Sequence, residues 1–256
     1  MNIKRAMPLI SVFFMLYLSA CAYLYYNQRA FLYYPSPVID VPRAESISLA
    51  SDGETLRIWH VGPSDGDAII YFGGNAEAVG ELAPYFATHF PHRAVYLVNY
   101  RSYGGSTGLP SEQALFQDAL TVYDFVHAKH ANIEIVGRSL GTGVAVYLTT
   151  QRVVKKLLLT TPYDSIESLA KNQFPVFPVS LLLKDKFASV ERVSSIAIPT
   201  MILLAETDNT VPHKNTQVLV EAFRKTMPQQ LQIRHCSHDS ILSQDAYWQT
   251  ATRFLD

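Results

Sequence analysis

The stretch Ile133-Glu-Ile-Val-Gly-Arg-Ser139-Leu-Gly-Thr-Gly143-Val-Ala-Val-Tyr-Leu148 decides how the rest of the chain is read. Ile133 to Val136 is a short apolar run of the kind that forms a buried strand, and Gly143 to Leu148 opens a helix. Between them lies Gly137-Arg-Ser139-Leu-Gly141, a G-x-S-x-G match in the strand–turn–helix setting that lifts a serine to the tip of a sharp turn. So tight a turn requires small residues on both sides of the serine, because the backbone is crowded there. Ser139 is therefore a candidate nucleophile. The Leu140 N–H, at a helix N-terminus, is a candidate donor to an oxyanion.

Working outward, the same rhythm repeats. Ala68–Phe72, Ala94–Val98, Lys156–Thr160 and Thr200–Leu204 are apolar or β-branched runs ended by turn residues, with Gln232–His235 a weaker last member. Amphipathic segments lie between them, among them Ala114 to Val126 behind a Ser111 N-cap and Val218 to Phe223. Ser46–Leu49 and Leu56–Val61 flank Ser51-Asp-Gly53 and read as a hairpin. Strand–helix alternation predicts an α/β fold, a mostly parallel central sheet with helices on both faces. The stretch 162–196, with Phe174-Pro-Val-Phe-Pro178, breaks the alternation and is expected to form a small lid. No internal repeat or second globular domain is visible.

A serine nucleophile needs a base, and the base needs an orienting carboxylate. His238, in Cys236-Ser-His-Asp-Ser240, follows the last strand, and His235 nearby is the other choice. Chain order Ser…Asp/Glu…His places the acid between them, and Asp208 in the loop after Thr200–Leu204 fits better than Glu206. Asp208 also suits capping of the helix after Pro212. The glycine-rich turn Gly73-Gly-Asn75 offers free backbone N–H groups, from Asn75 or Gly74, for a second oxyanion donor. Asn99 to Gly108 is a further glycine-rich turn without the Gly-Lys-Ser/Thr ending of a phosphate loop, expected to pack beside the serine turn.

These stretches together resemble the α/β-hydrolase superfamily, and within it the small membrane-anchored serine hydrolases of the abhydrolase-domain type, kin to serine aminopeptidases and lysophospholipases. The matching segments are 28–35, 73–77, 100–108, 137–141, 208–212 and His238-Asp239. The resemblance implies Ser139 as nucleophile, Asp208 as acid, His238 as base, and the N–H groups of Asn75 and Leu140 as oxyanion hole. It implies cleavage of ester or thioester bonds through an acyl-enzyme, without metal or organic cofactor. Peptidase or acyltransferase chemistry on the same triad and a non-catalytic binding module are the rival readings. Two positions depart from the family: Gly73 stands where histidine is usual, and Ser237 where glycine usually precedes the catalytic histidine.

The front of the chain has another character. Lys4 and Arg5 precede Ala6 to Tyr26, 21 residues without a charge, and about 20 apolar residues span a bilayer. Residues 1–27 are expected to be a membrane anchor, or else a lipoprotein-type signal in which Leu18-Ser-Ala-Cys21 places Cys21 for lipidation. Tyrosines on both sides of Asn27 suit the membrane interface. Either way residues 28–256, the hydrolase domain, are expected on the non-cytosolic side of a membrane. Of 256 residues only 17% are charged, with 21 Lys+Arg against 22 Asp+Glu, which supplies no basic field for nucleic acid. The expected partners are an acyl ester or thioester and the membrane itself.

Overall fold

The structure is a computed structural model that describes residues 3–256, with side chains from Ile10 onward; the side chains of Lys4 and Arg5 lie outside the described residues. Eight strands form one sheet. They are β1 (Glu45–Ser51), β2 (Glu54–Val61), β3 (Ala68–Phe72), β4 (Ala94–Val98), β5 (Ile133–Arg138), β6 (Leu157–Thr160), β7 (Thr200–Thr207) and β8 (Gln229–Ser237). Their order is β1-β2-β4-β3-β5-β6-β7-β8. β2 pairs antiparallel with β1 and β4, and every other pairing is parallel.

Burial explains the apolar runs. Every residue of β3, β4, β5 and β6 is buried, as strands covered on both faces must be. Their side chains alternate between two cores. Ile70, Phe72, Tyr96 and Ile135 face one layer, with Leu115, Ala119, Val122 and Val126 of α3 (Glu112–His127) and Val144 and Leu148 of α4 (Leu140–Gln151). Ile69, Tyr71, Val95 and Leu97 face the other, against Phe86 of α2 (Ala83–His89) and Trp248 and Leu255 of the C-terminal helix, Asp245–Leu255. Ser111 caps α3 as its position predicts, its side chain accepting from the Ala114 N–H at 3.1 Å.

β8 is longer than its sequence suggests. Gln229 to Gln232 are exposed at the sheet edge, so they carry no apolar signal. In the 162–196 segment, α5 (Ile166–Gln173) and α6 (Val179–Leu182) form two short helices.

The first helix, α1, runs from Ile3 to Leu32, and its Ile10–Leu32 part is long and apolar enough to cross a membrane. It passes the expected 27/28 division without a break. Its last turns are fastened to the 162–196 segment. Gln28 Nε2 donates to Leu182 O at 3.0 Å, the Lys184 N–H donates to Gln28 Oε1 at 2.6 Å, and the Arg29 guanidinium grips Asp185 at 2.9 and 3.2 Å.

Candidate active site

Ser139 sits between β5 and α4 with φ +47° and ψ −117°, a conformation that costs a non-glycine residue roughly 1–3 kcal/mol. Its N–H donates to Thr160 O on the neighbouring strand at 2.9 Å, which helps hold the strained turn. The flanking glycines are sterically forced. A Cβ at Gly141 would lie 2.1 Å from Phe72 O, and one at Gly137 would lie 2.7 Å from Ala145 Cβ.

The structure brings Ser139, Asp208 and His238 together. His238 Nε2 is 2.8 Å from Ser139 Oγ, and Nδ1 is 2.8 Å from Asp208 Oδ2. With Nδ1–H donating to the carboxylate, Nε2 is left to accept the serine hydroxyl proton. The imidazole is 7% and the carboxylate 3% exposed, so water competes little for either bond. The β7–β8 register shifts between Ala205 and Thr207, re-aiming the chain just before Asp208. Asp208 Oδ1 accepts from the N–H groups of Thr210 (3.0 Å) and Val211 (2.7 Å), a turn that closes ahead of helix α7 (His213–Ala222). Burial alone raises the Asp208 carboxyl, but the bond to His238 and those two backbone donors outweigh it and hold the group below its ordinary value.

The alternatives lie elsewhere. His235 is 90% exposed, and its backbone N–H donates to Glu206 Oε2 at 2.8 Å. The Gly74 N–H is tied to Glu77 Oε2 at 2.8 Å. Asn75 is pinned through its side chain: Oδ1 accepts from the Tyr34 N–H (2.9 Å) and Tyr103 OH (2.6 Å), and Nδ2 donates to Leu32 O (2.7 Å). Leu140 begins α4, so its N–H has no carbonyl one turn earlier to bond. Tyr100 OH donates to Gly73 O at 2.7 Å, so the 99–108 turn buttresses the 73–75 loop. At Gly73, a Cβ would meet Val79 Cγ1 at 2.5 Å, which explains why this loop, as packed here, takes no histidine.

Two buried charges escape sequence reasoning. Arg138, inside the G-x-S-x-G match, donates through Nη1 to Glu77 Oε2 and through Nη2 to His238 O at 3.1 Å. Glu77 also accepts from Tyr71 OH and the Gly74 N–H. One ion pair thus joins the turns that carry residues 74, 139 and 238. The available signal is a charged residue inside an otherwise buried strand end, together with an acid just past a glycine pair.

No protein-family model matches the chain. An uncharacterised protein of Mycobacterium tuberculosis is 32% identical over 242 residues, covering 87% of this chain and 85% of the relative. The lysophosphatidylserine lipase ABHD12 of Macaca fascicularis is 34% identical over 169 residues, covering 56% of this chain and 42% of that one. Among solved structures, the enol-lactonase of Burkholderia xenovorans superposes with a TM-score of 0.65 at 17% identity, over 82% of this chain and 99% of that one. The mostly parallel eight-stranded sheet, the serine turn at its carboxyl edge and these relatives together establish that the chain belongs to the α/β-hydrolase superfamily, among its abhydrolase-domain proteins.

Proposed function

We propose that the protein is a serine hydrolase that cleaves carboxylic ester or thioester bonds of acyl lipids. The observation that carries this reading is the continuous Asp208–His238–Ser139 hydrogen-bond chain, 2.8 Å at each link. Ser139 Oγ attacks the acyl carbonyl carbon as its proton passes to His238 Nε2, and Asp208 stabilises the imidazolium. The N–H groups of Asn75 and Leu140 receive the developing oxyanion, where one such donor is worth about 10²–10³ in rate. Collapse expels the alcohol or thiol, which takes the proton from His238. Water, deprotonated by the same imidazole, then releases the acid and frees Ser139. ABHD12's lipase activity and the apolar N-terminal helix support an acyl-lipid substrate over a peptide.

Residues 28–256 are the catalytic unit in this reading, with 162–196 as its lid. α1 is an uncleaved anchor that leaves Lys4 and Arg5 in the cytosol and the catalytic unit outside. Two observations favour an anchor over lipidation of Cys21. The thiol is buried within an unbroken helix, and a cut before it would remove Tyr17, whose OH donates to Val176 O at 2.9 Å.

A fluorophosphonate probe tests the chemistry. Wild type is expected to label and Ser139→Ala to stay unlabelled; labelling that persists in the variant refutes the assignment. External protease on intact spheroplasts tests the topology, and a catalytic unit protected until the membrane is broken refutes it.

A further inference from the structure

Beside the proposed triad and its oxyanion donors lies a cavity of about 410 Å³ between α1 and the lid. Leu24, Phe31 and Leu32 of α1 line one side, and Leu169, Phe174 and Leu182 of the lid line the other. Asn75 and Thr210 line it too. The first is the proposed oxyanion donor and the second follows Asp208 by two residues, so the cavity adjoins the reacting centre.

The burial of α1 is arranged around this space. Between Ile10 and Leu32, the most covered residues are Ala20, Cys21, Leu24, Gln28 and Leu32. That spacing places them on one helical face. The same face is fixed to the lid. Tyr17 stacks on Phe177 at 5.8 Å with ring planes 5° apart, and Gln28 and Arg29 bind the Leu182–Asp185 stretch. Apolar side chains on the opposite face, such as Met15 at 60% and Tyr26 at 79% exposed, are left largely uncovered. A helix that only anchored the enzyme would need no such division.

We propose that the last turns of α1 are one wall of an acyl-chain site, so that the membrane-spanning helix itself sets chain-length specificity. The ligand is a single unbranched acyl chain. At about 30 Å³ for a water-sized group, the cavity holds roughly a dozen methylenes, and a second chain does not fit. Because the wall and the lipid-embedded part are one helix, the chain slides from bilayer to cavity along α1 without crossing water. This inference rests on the hydrolase reading above.

The test uses the full chain in phosphatidylcholine vesicles, with p-nitrophenyl acetate and p-nitrophenyl laurate as substrates. Rates are normalised to the serine titrated by fluorophosphonate. Leu24→Trp fills the cavity from the α1 side. With each methylene worth about fourfold, displacing two lowers the laurate-to-acetate ratio of kcat/KM by about 15-fold, chiefly through KM. Tyr26→Leu, two residues away on an exposed face, keeps the wild-type ratio. Should Leu24→Trp fail to take up the probe, Leu24→Phe is held to a fall of about fourfold. An unchanged ratio in the probe-reactive Leu24 variant overturns the α1 wall while leaving the hydrolase reading intact, as does an equal fall in Tyr26→Leu. A wild type that neither labels nor hydrolyses either ester overturns both.

Discussion

Glu77→Gln is the substitution by which the joint between the turns that carry residues 74, 139 and 238 is best probed. It removes the charge that faces the Arg138 guanidinium, 10% exposed, whose other partners are the His238 carbonyl at 3.1 Å and the exposed Asp239 carboxylate at 3.8 Å. Removing one member of a buried ion pair typically costs about 3–5 kcal/mol, a large share of the roughly 5–15 kcal/mol that holds a domain together. A urea titration should register a loss of that size. Kinetics should respond separately, because Glu77 also fixes the Gly74 N–H beside Asn75, and Arg138 fixes the turn that carries His238. A displacement of about 1 Å in such a site costs up to ~10²-fold, so kcat on p-nitrophenyl butyrate should fall by about 10–100-fold with a smaller change in KM. The double variant Glu77→Gln/Arg138→Met separates the two effects. With both charges gone and an apolar chain in place, most of the stability should return, while kcat stays low because nothing ties the turns. If stability and kcat return together, the pair only supports the fold and the positioning argument is wrong.

His238→Ala should retain only about 10³–10⁴ over the uncatalysed rate on a short p-nitrophenyl ester, whereas His235→Ala should stay close to wild type; the reverse order would move the base to the exposed residue. A pH effect is expected at Glu134, buried on β5 beside Arg93 at 3.1 Å and Lys156 at 3.9 Å, where burial pushes the carboxyl up to about 7. An acid raised on folding costs nothing while both states are protonated, and it destabilises as pH climbs from the unfolded value near 4.5 through 7. Glu134→Gln should therefore gain on wild type by about 1–3 kcal/mol between pH 4.5 and 8, read as a difference in urea midpoints; a constant or shrinking difference contradicts this.

Most of the sheet was readable because its inner strands are buried on both faces, which forces an unbroken apolar run at each one. β8 was readable only in part, since Gln229 to Gln232 lie at an edge and gain nothing from being apolar. The cluster of Ser139, Asp208 and His238 was readable because its members obey the expected chain order and each follows a strand at the same sheet edge. The end of α1 was not. Asn27, Gln28 and Arg29 look like the point where a spanning helix meets water, but Leu182, Lys184 and Asp185 supply Gln28 and Arg29 with partners and the helix continues to Leu32. Those partners are more than 150 residues away, and periodicity carries no trace of them. The Glu77–Arg138 pair is hard to read for the same reason, because its partners stand 61 residues apart and only the fold brings them together.

The strained residues give this architecture a common logic. Ala76, Ser102, Ser139 and Thr161 all have positive φ, of 60°, 68°, 47° and 49°, and they follow β3, β4, β5 and β6 at the carboxyl edge of the sheet. Each costs roughly 1–3 kcal/mol, so together they are comparable with the whole margin of stability. Such conformations survive only where neighbours over-determine them. Here the Thr161 N–H donates to Leu203 O at 2.8 Å and the Ser139 N–H to Thr160 O at 2.9 Å, while Ser102 Oγ donates to Gly108 O at 2.5 Å. At Ser139 and Thr161 the ladder of inner strands therefore extends one residue into the turn and holds it bent. A site built in this way has met its ordering cost during folding. Ser139, and in our reading the donors at Asn75 and Leu140, then stand fixed before an acyl group arrives, which is the condition under which hydrogen bonds to a developing oxyanion lower a barrier most.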